Sequence, residues 1–178
     1  VVTLIIGFGA QSLIEDVLTG VFLIAEGRYN VGDILVLDDF RGKVVDISVR
    51  TTTLEDAGGN HKIINNSEIR NFQNRSQKTS MAVSEIAVGY DADLRAVEAV
   101  IADALPAMYE ENRGVFLAAP EYLGVEELAD SAVVLKFAVS TTEENIFAAR
   151  RALNRSLKLL FDDKDIDIPY PQLTVHTK

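Results

Sequence analysis

The stretch VVTLIIGFGAQSLIEDVLTGVFLIA, residues 1–25, decides how the rest of the chain is read. Residues 1–10 are almost wholly apolar: Thr3 alone carries a polar group, and Gly7 and Gly9 lie about a half-turn of helix apart. From Leu13 the pattern changes. Leu13, Ile14, Val17, Leu18, Val21, Phe22 and Ala25 recur at helical spacing, while Ser12, Glu15, Asp16 and Thr19 form a narrow polar stripe. This is an amphipathic helix with a wide apolar face. Ser12 and Glu15 fit the capping box S-x-x-E, so a second helix is expected to start at Ser12 and break from the first. The first part is shorter than the roughly 20 apolar residues a bilayer span requires. It begins at full hydrophobicity without Met, and we read Val1 as the middle of a longer apolar helix.

The chain has 178 residues, of which 48% are hydrophobic, enough for one large or two small cores. It contains no Cys and two His, which excludes a disulfide framework, thiolate chemistry and the common zinc sites. Net charge is -10, and most of it, -8, falls from Met81 onward. Such acidity argues against nucleic acid as a partner, since phosphate contacts require Lys and Arg. A signal peptide is not evident. No catalytic motif surrounds His61 or His176, the acid pairs Glu110-Glu111 and Asp162-Asp163 fall at helix ends, and Gly7-Phe8-Gly9 lacks the third glycine of a phosphate loop. No enzyme, cofactor or metal is expected.

Beyond the amphipathic helix, Glu26–Asp33 is polar and carries two glycines. Short β-type runs follow at Ile34–Leu37, Lys43–Val49 and Lys62–Ile64. Turns are expected at Asp38–Gly42 and Glu55–Asn60. Four or five short strands in this space make a small barrel or a sandwich. Asn65–Ser80 is rich in Asn and Ser and reads as a connector. The remainder alternates. Ala82–Val88 is a strand with Val83 and Ile86 as core residues, and Leu94–Tyr109 a helix interrupted late by Pro106. Tyr122–Leu128 and Ala132–Val139 form a strand pair, and Ile146–Phe161 a helix with Arg150, Arg151 and Arg155 away from its apolar face. The order β-α-β-β-α is most of a ferredoxin-like split βαβ. Pro169 and Pro171 flank Tyr170 and force an extended approach to a final strand through Leu173 and Val175.

Five segments in this order, GFGAQSLIEDVLTG (7–20), YNVGDILVL (29–37), GKVVDISVRTTTLED (42–56), residues 59–66 with IINN, and PYPQLTV (169–175), resemble the small-conductance mechanosensitive channel family, MscS. The similarity covers nearly the whole chain. It implies an α+β chain with an all-β part. Residues 1–28 would hold the end of a pore-lining transmembrane helix and its amphipathic continuation, and 29–80 an Sm-like β domain with its connector. Residues 81–168 would be a ferredoxin-like α/β domain, and 169–178 a strand of a small C-terminal barrel. It also implies a ring of identical subunits, seven in the family, in the inner membrane, with further transmembrane helices outside this chain and most of the chain in a cytoplasmic vestibule. Its partners would be its own copies, membrane lipids, permeating ions and small solutes.

By register with the family's pore helix, Leu4 and Phe8 would constrict the bore, where rings of large apolar side chains exclude ions by dewetting. Gly7, Gly9 and Gly20 would serve close packing and Ser12 the kink, where some members carry glycine. Gly32, Asp33, Gly42, Asn66, Pro169 and Pro171 occupy family-motif positions. Ile64-Asn65-Asn66 stands where members often have IPN, which makes that turn less rigid. The function implied is a tension-gated channel that releases ions and solutes in hypoosmotic shock. The alternative is a related channel answering another stimulus or exporting metabolites. The amphipathic helix would lie at the bilayer interface or pack on its β domain, and the acidic vestibule would lower anion preference.

Overall fold

The computed structural model of the chain describes residues 2–76 and 79–171, with side chains described from residue 10. The chain divides into two compact units, residues 1–78 and 79–178.

The first unit begins with helix α1, Val2–Glu26, 25 residues without interruption. The break expected at Ser12 is absent. A capping box stabilises a helix start only if the chain arrives there extended, and neither Pro nor Gly lies between Ala10 and Thr19 to stop propagation. Among the described residues no helix is long and apolar enough to cross a membrane.

Five strands follow: β1 (Ile34–Leu37), β2 (Phe40–Ile47), β3 (Thr51–Glu55), β4 (His61–Asn65) and β5 (Gln73–Asn74). They form one antiparallel sheet in the order β4-β3-β2-β1-β5. The β1–β2 turn is tighter than the expected Asp38–Gly42, for Leu37 already pairs with Phe40. Asp38 takes φ 50°, a left-handed conformation that Asp tolerates better than most residues. Gly42 sits inside β2, where a Cβ would lie 2.8 Å from the Phe40 ring and 3.0 Å from the Glu55 carbonyl oxygen.

The polar run Asn65–Ser80 is not a free connector. It contains a 3₁₀ turn, Asn66–Glu68, and β5, which pairs with β1. Backbone bonds hold this edge: Arg75 N donates to Ile34 O at 2.9 Å, and Ile34 N donates to Ser76 Oγ at 2.8 Å. A two-residue ladder needs no apolar alternation, so its sequence carries no strand signal. The core gathers Leu23, Tyr29, Leu35, Leu37, Val44, Leu54, Ile64 and Ile69, with Phe72 edge-on to Tyr29 at 5.2 Å.

In the second unit β6 (Ser80–Val88), α2 (Leu94–Glu111), β7 (Glu121–Ala129), β8 (Ala132–Thr141) and α3 (Ile146–Asp163) follow in order. The sheet is antiparallel, ordered β6-β8-β7, and its core packs against both helices. Of the two core residues expected in β6, Ile86 packs against the core and Val83 does not. Ala82, Ser84 and Val88 are buried and Val83 is exposed. The buried polar residue, Ser84, donates to Asn154 Oδ1 on α3, and this breaks the apolar alternation that would have revealed the phase. Nor does Pro106 end α2. Ile101 and Met108 are buried on either side of it, and Asn112 Nδ2 donates to Met108 O at 2.8 Å near the helix end. Asp93 caps the other end, accepting from the backbone N–H groups of Arg95 and Ala96. Residues 169–171 have no regular structure, and the strand expected through Leu173 and Val175 lies outside the described residues.

Candidate functional site

The site is built where α1 meets the 3₁₀ turn Asn66–Glu68 and the β2–β3 turn. Asp16, Gly20 and Leu23 recur on one helix face, and all three are buried. Asp16 is a carboxylate 5% exposed; its Oδ1 accepts from the Ser67 hydroxyl at 2.5 Å and from the Ser67 backbone N–H at 3.3 Å. A buried carboxylate is stable only when so partnered. One turn on, Gly20 lies against the Val49 carbonyl and the Asn66 side chain. A Cβ there would sit 2.9 Å from the Val49 carbonyl carbon, and closer still to its oxygen and to Asn66 Nδ2.

Asn66, fully buried, is the hub beneath the helix. Its Nδ2 donates to Ser48 O and Val49 O, both at 3.0 Å, and its Oδ1 accepts from Thr52 Oγ1 at 2.9 Å. Thr52 Oγ1 in turn meets the Tyr29 hydroxyl at 3.0 Å. Burial pushes the Tyr29 phenol above its ordinary pKa, and the Thr52 bond partly opposes this. A continuous polar chain therefore runs from the residues after α1, through the sheet, to the surface on which Gly20 rests. At the rim Arg70 Nη2 reaches Glu15 Oε1 at 3.3 Å, an exposed pair that contributes little by itself.

Most of the rest of α1 is exposed. Leu13, Ile14, Leu18, Val21, Phe22 and Ile24 are each about half exposed, from 48% to 60%. Among the described residues Asp16, Gly20 and Leu23, rather than these six, make the contact with the β domain.

Residues 12–77 match the family model described as mechanosensitive ion channel, beta-domain. Along 97% of its length the chain is 34% identical to the small-conductance mechanosensitive channel of Caldanaerobacter subterraneus subsp. tengcongensis, of which it covers 61%. It is 29% identical to the moderate conductance mechanosensitive channel YbiO of Escherichia coli, covering 23% of that protein. Helicobacter pylori MscS in its closed state superposes with a TM-score of 0.85 at 21% identity, over 99% of this chain and 70% of that one. The chain is similar to MscS-family channels along nearly its whole length.

That family is one of ion channels, not of enzymes. His61 lies exposed on a hairpin, 3.9 Å from Glu55. His176 lies outside the described residues. The fold of this chain, a β-rich domain with helices, is that of the solved Helicobacter pylori structure, and the chain spans about three fifths of the first curated relative named above, 61%.

The MscS-motif residues separate into groups. Gly20 and Asn66 come together at the helix–sheet contact. Gly32 takes φ 102° and donates its N–H to Val44 O at 2.8 Å, a conformation that favours glycine. Beside it Asp33 Oδ2 accepts from Asn30 N at 3.0 Å and from Asn74 Nδ2 at 2.9 Å, tying β5 to the strand entry. Gly42 serves packing within β2. Ser12 is exposed on α1 and has no capping role there. Pro169 and Pro171 belong to the second unit. The backbone of Leu4, Gly7, Phe8 and Gly9 is helical, and their side chains lie outside the described residues. Sequence reasoning passed over Asp16, Ser67, Thr52 and Tyr29. The available signal was the i, i+4 spacing of Asp16 and Gly20, a carboxylate and a glycine on one face.

Proposed function

We propose that the chain is the pore-side and cytoplasmic part of a mechanosensitive channel, a ring of identical subunits opened by membrane tension to release ions and small solutes in hypoosmotic shock. The first unit acts as an Sm-like β domain and the second as a ferredoxin-like domain of a cytoplasmic vestibule that filters solutes. The ring numbers seven, and further transmembrane helices place the whole protein in the inner membrane as a multi-pass protein. Leu4 and Phe8 close the bore.

The observation that carries this reading is the orientation of α1. Its small and polar face, Asp16 and Gly20, is seated on the turns of the β domain, and six large apolar side chains, Leu13, Ile14, Leu18, Val21, Phe22 and Ile24, are left exposed. Burying such side chains is worth about 1.5–3 kcal/mol each, and a face of six calls for lipid or neighbouring helices. Tension favours the state of larger in-plane area, and a helix fastened to its β domain carries that shift into the vestibule wall.

The test is patch clamp of the full-length protein under stepped suction, in a host without channels of this kind. Stretch-gated currents are expected. Silence, with the protein shown to be in the membrane as a ring, would refute tension as the stimulus and leave a channel of this fold answering something else.

A further inference from the structure

The second unit is acidic as a whole, yet α3 carries four bases, Arg150, Arg151, Arg155 and Lys158, and no acid before Asp162. All four are exposed. Lys158 pairs with Asp162, but the three arginines form no ion pair among the described residues. They fall within about 140° of one helix face. Three unpaired guanidinium groups on one face repel each other, and Arg is the cation that interfaces favour for its planar, bidentate donors.

The complementary surface lies in the same unit. A cavity of about 610 Å³ opens between the start of α2, the β7–β8 turn and the segment after α3. Ala96, Val97 and Val100 give it an apolar wall, and Asp91, Asp130, Asp165 and Asp167 line it. These four carboxylates have no side-chain partner among the described residues, and the one cation lining the cavity, Lys164, is paired with Asp163 at 3.1 Å.

We infer that the arginine face of α3 docks against the carboxylate-lined cavity of a second copy of this chain, with Arg150, Arg151 and Arg155 against Asp91, Asp130, Asp165 and Asp167. Two different, mutually complementary patches on one subunit make a head-to-tail contact, the kind that generates a closed ring when its rotation closes. The inference rests on the ring reading above and adds which surfaces of the second unit meet. Opposite charge sets register and orientation at such a contact, and the apolar wall of the cavity receives the alkyl stems of the arginines.

The test uses the full-length protein in detergent. Arg150, Arg151 and Arg155 are reversed to Glu in one variant, Asp130, Asp165 and Asp167 to Lys in a second, and both sets in a third. Each one-sided variant is expected to raise the protomer concentration at which rings half-dissociate by about tenfold or more, and the double reversal to restore assembly. A second variant pair is independent of that outcome. The chain contains no cysteine. Arg151→Cys and Asp165→Cys in one chain are separated by about 18 Å or more along α3, too far for a bond within a copy. A mild oxidant should therefore link copies into a ladder, which neither single variant does.

No ladder, together with undiminished assembly of both one-sided variants, overturns the inference. So does an arginine variant whose rings are as stable as before but whose anion preference is altered, since the strip would then face permeating solutes. A wild-type protein that is monomeric refutes the ring itself, a different failure from a ring held by other surfaces.

Discussion

Gly20→Ala is the sharpest perturbation of the helix–sheet contact, because two effects of opposite sign meet there. At an exposed helical site this change stabilises by about 0.8–1 kcal/mol through helix propensity. At Gly20 the new methyl would lie 2.9 Å from the Val49 carbonyl carbon and closer to its oxygen, both backbone atoms that cannot swing aside. The helix must lift. Lifting strains both bonds from Ser67 to Asp16, 2.5 Å and 3.3 Å long, and uncovers Leu23, now 5% exposed. Overpacking costs about 1–3 kcal/mol, and a hydrogen bond to a charged group is worth about 1.5–3 kcal/mol. Against the propensity gain the net expectation is a loss of about 1.5–5 kcal/mol. In denaturant unfolding of the full-length protein, the transition that reports α1 and its sheet should move to lower denaturant, and in patch clamp the tension threshold should change with it. A Gly20→Ala protein as stable as wild type, or more so, would refute the claim that backbone contact at Gly20 seats the helix.

Asp16→Ala strands the Ser67 hydroxyl and N–H and should cost about 2–3 kcal/mol, while Asp16→Asn, which keeps an acceptor, should cost less; equal losses in chemical unfolding would mean that volume rather than hydrogen bonding matters at that position. Leu4→Ser places a polar ring in the proposed constriction, hydrates it and should lower the opening tension; an unchanged threshold in a well-expressed mutant would show the register to be wrong. Burial first, then the hydrogen bond and charge of Glu98, pushes the Tyr122 phenol from 10.0 up to about 12. The folded protein thus holds that proton more tightly than the unfolded chain. The resulting stability is fully present below pH 10 and is lost as pH rises through about 12. Tyr122→Phe should flatten the fall in stability over that range, and an unchanged slope would assign it to other groups. Finally, the -8 net charge from Met81 onward should lower anion preference, and a reversal potential in asymmetric salt showing strong anion selectivity would contradict it.

The elements of the second unit were legible almost to the residue. Long helices with apolar residues at 3.6 spacing and strands bounded by turn residues leave little freedom, as α3 and the β7–β8 hairpin show. What escaped were places where a polar residue takes an inward position. Ser84 faces α3 and hides the phase of β6. Asn66 lies fully buried in a run whose composition reads as solvent-exposed loop. Periodicity records side-chain hydropathy, and it cannot anticipate that a buried amide or hydroxyl will find all its partners from segments distant in the chain.

The sequence by itself determined that residues 13–25 form an amphipathic helix, that β strands and then an α/β unit follow, and that the acid is concentrated toward the C-terminus. The motifs along it carried its resemblance to the MscS family. Which way the helix faces was decided only by tertiary structure. An apolar stripe is expected to cover the nearest core, but the turns below α1 offer Ser67, Asn66 and the Val49 carbonyl, partners for a carboxylate and for a backbone without a side chain. Asp16 and Gly20 satisfy that surface, and the six large apolar side chains are left to face outward. The direction of an amphipathic helix follows from the hydrogen-bonding groups and the shape of the surface beneath it, and those exist only once the sheet has folded.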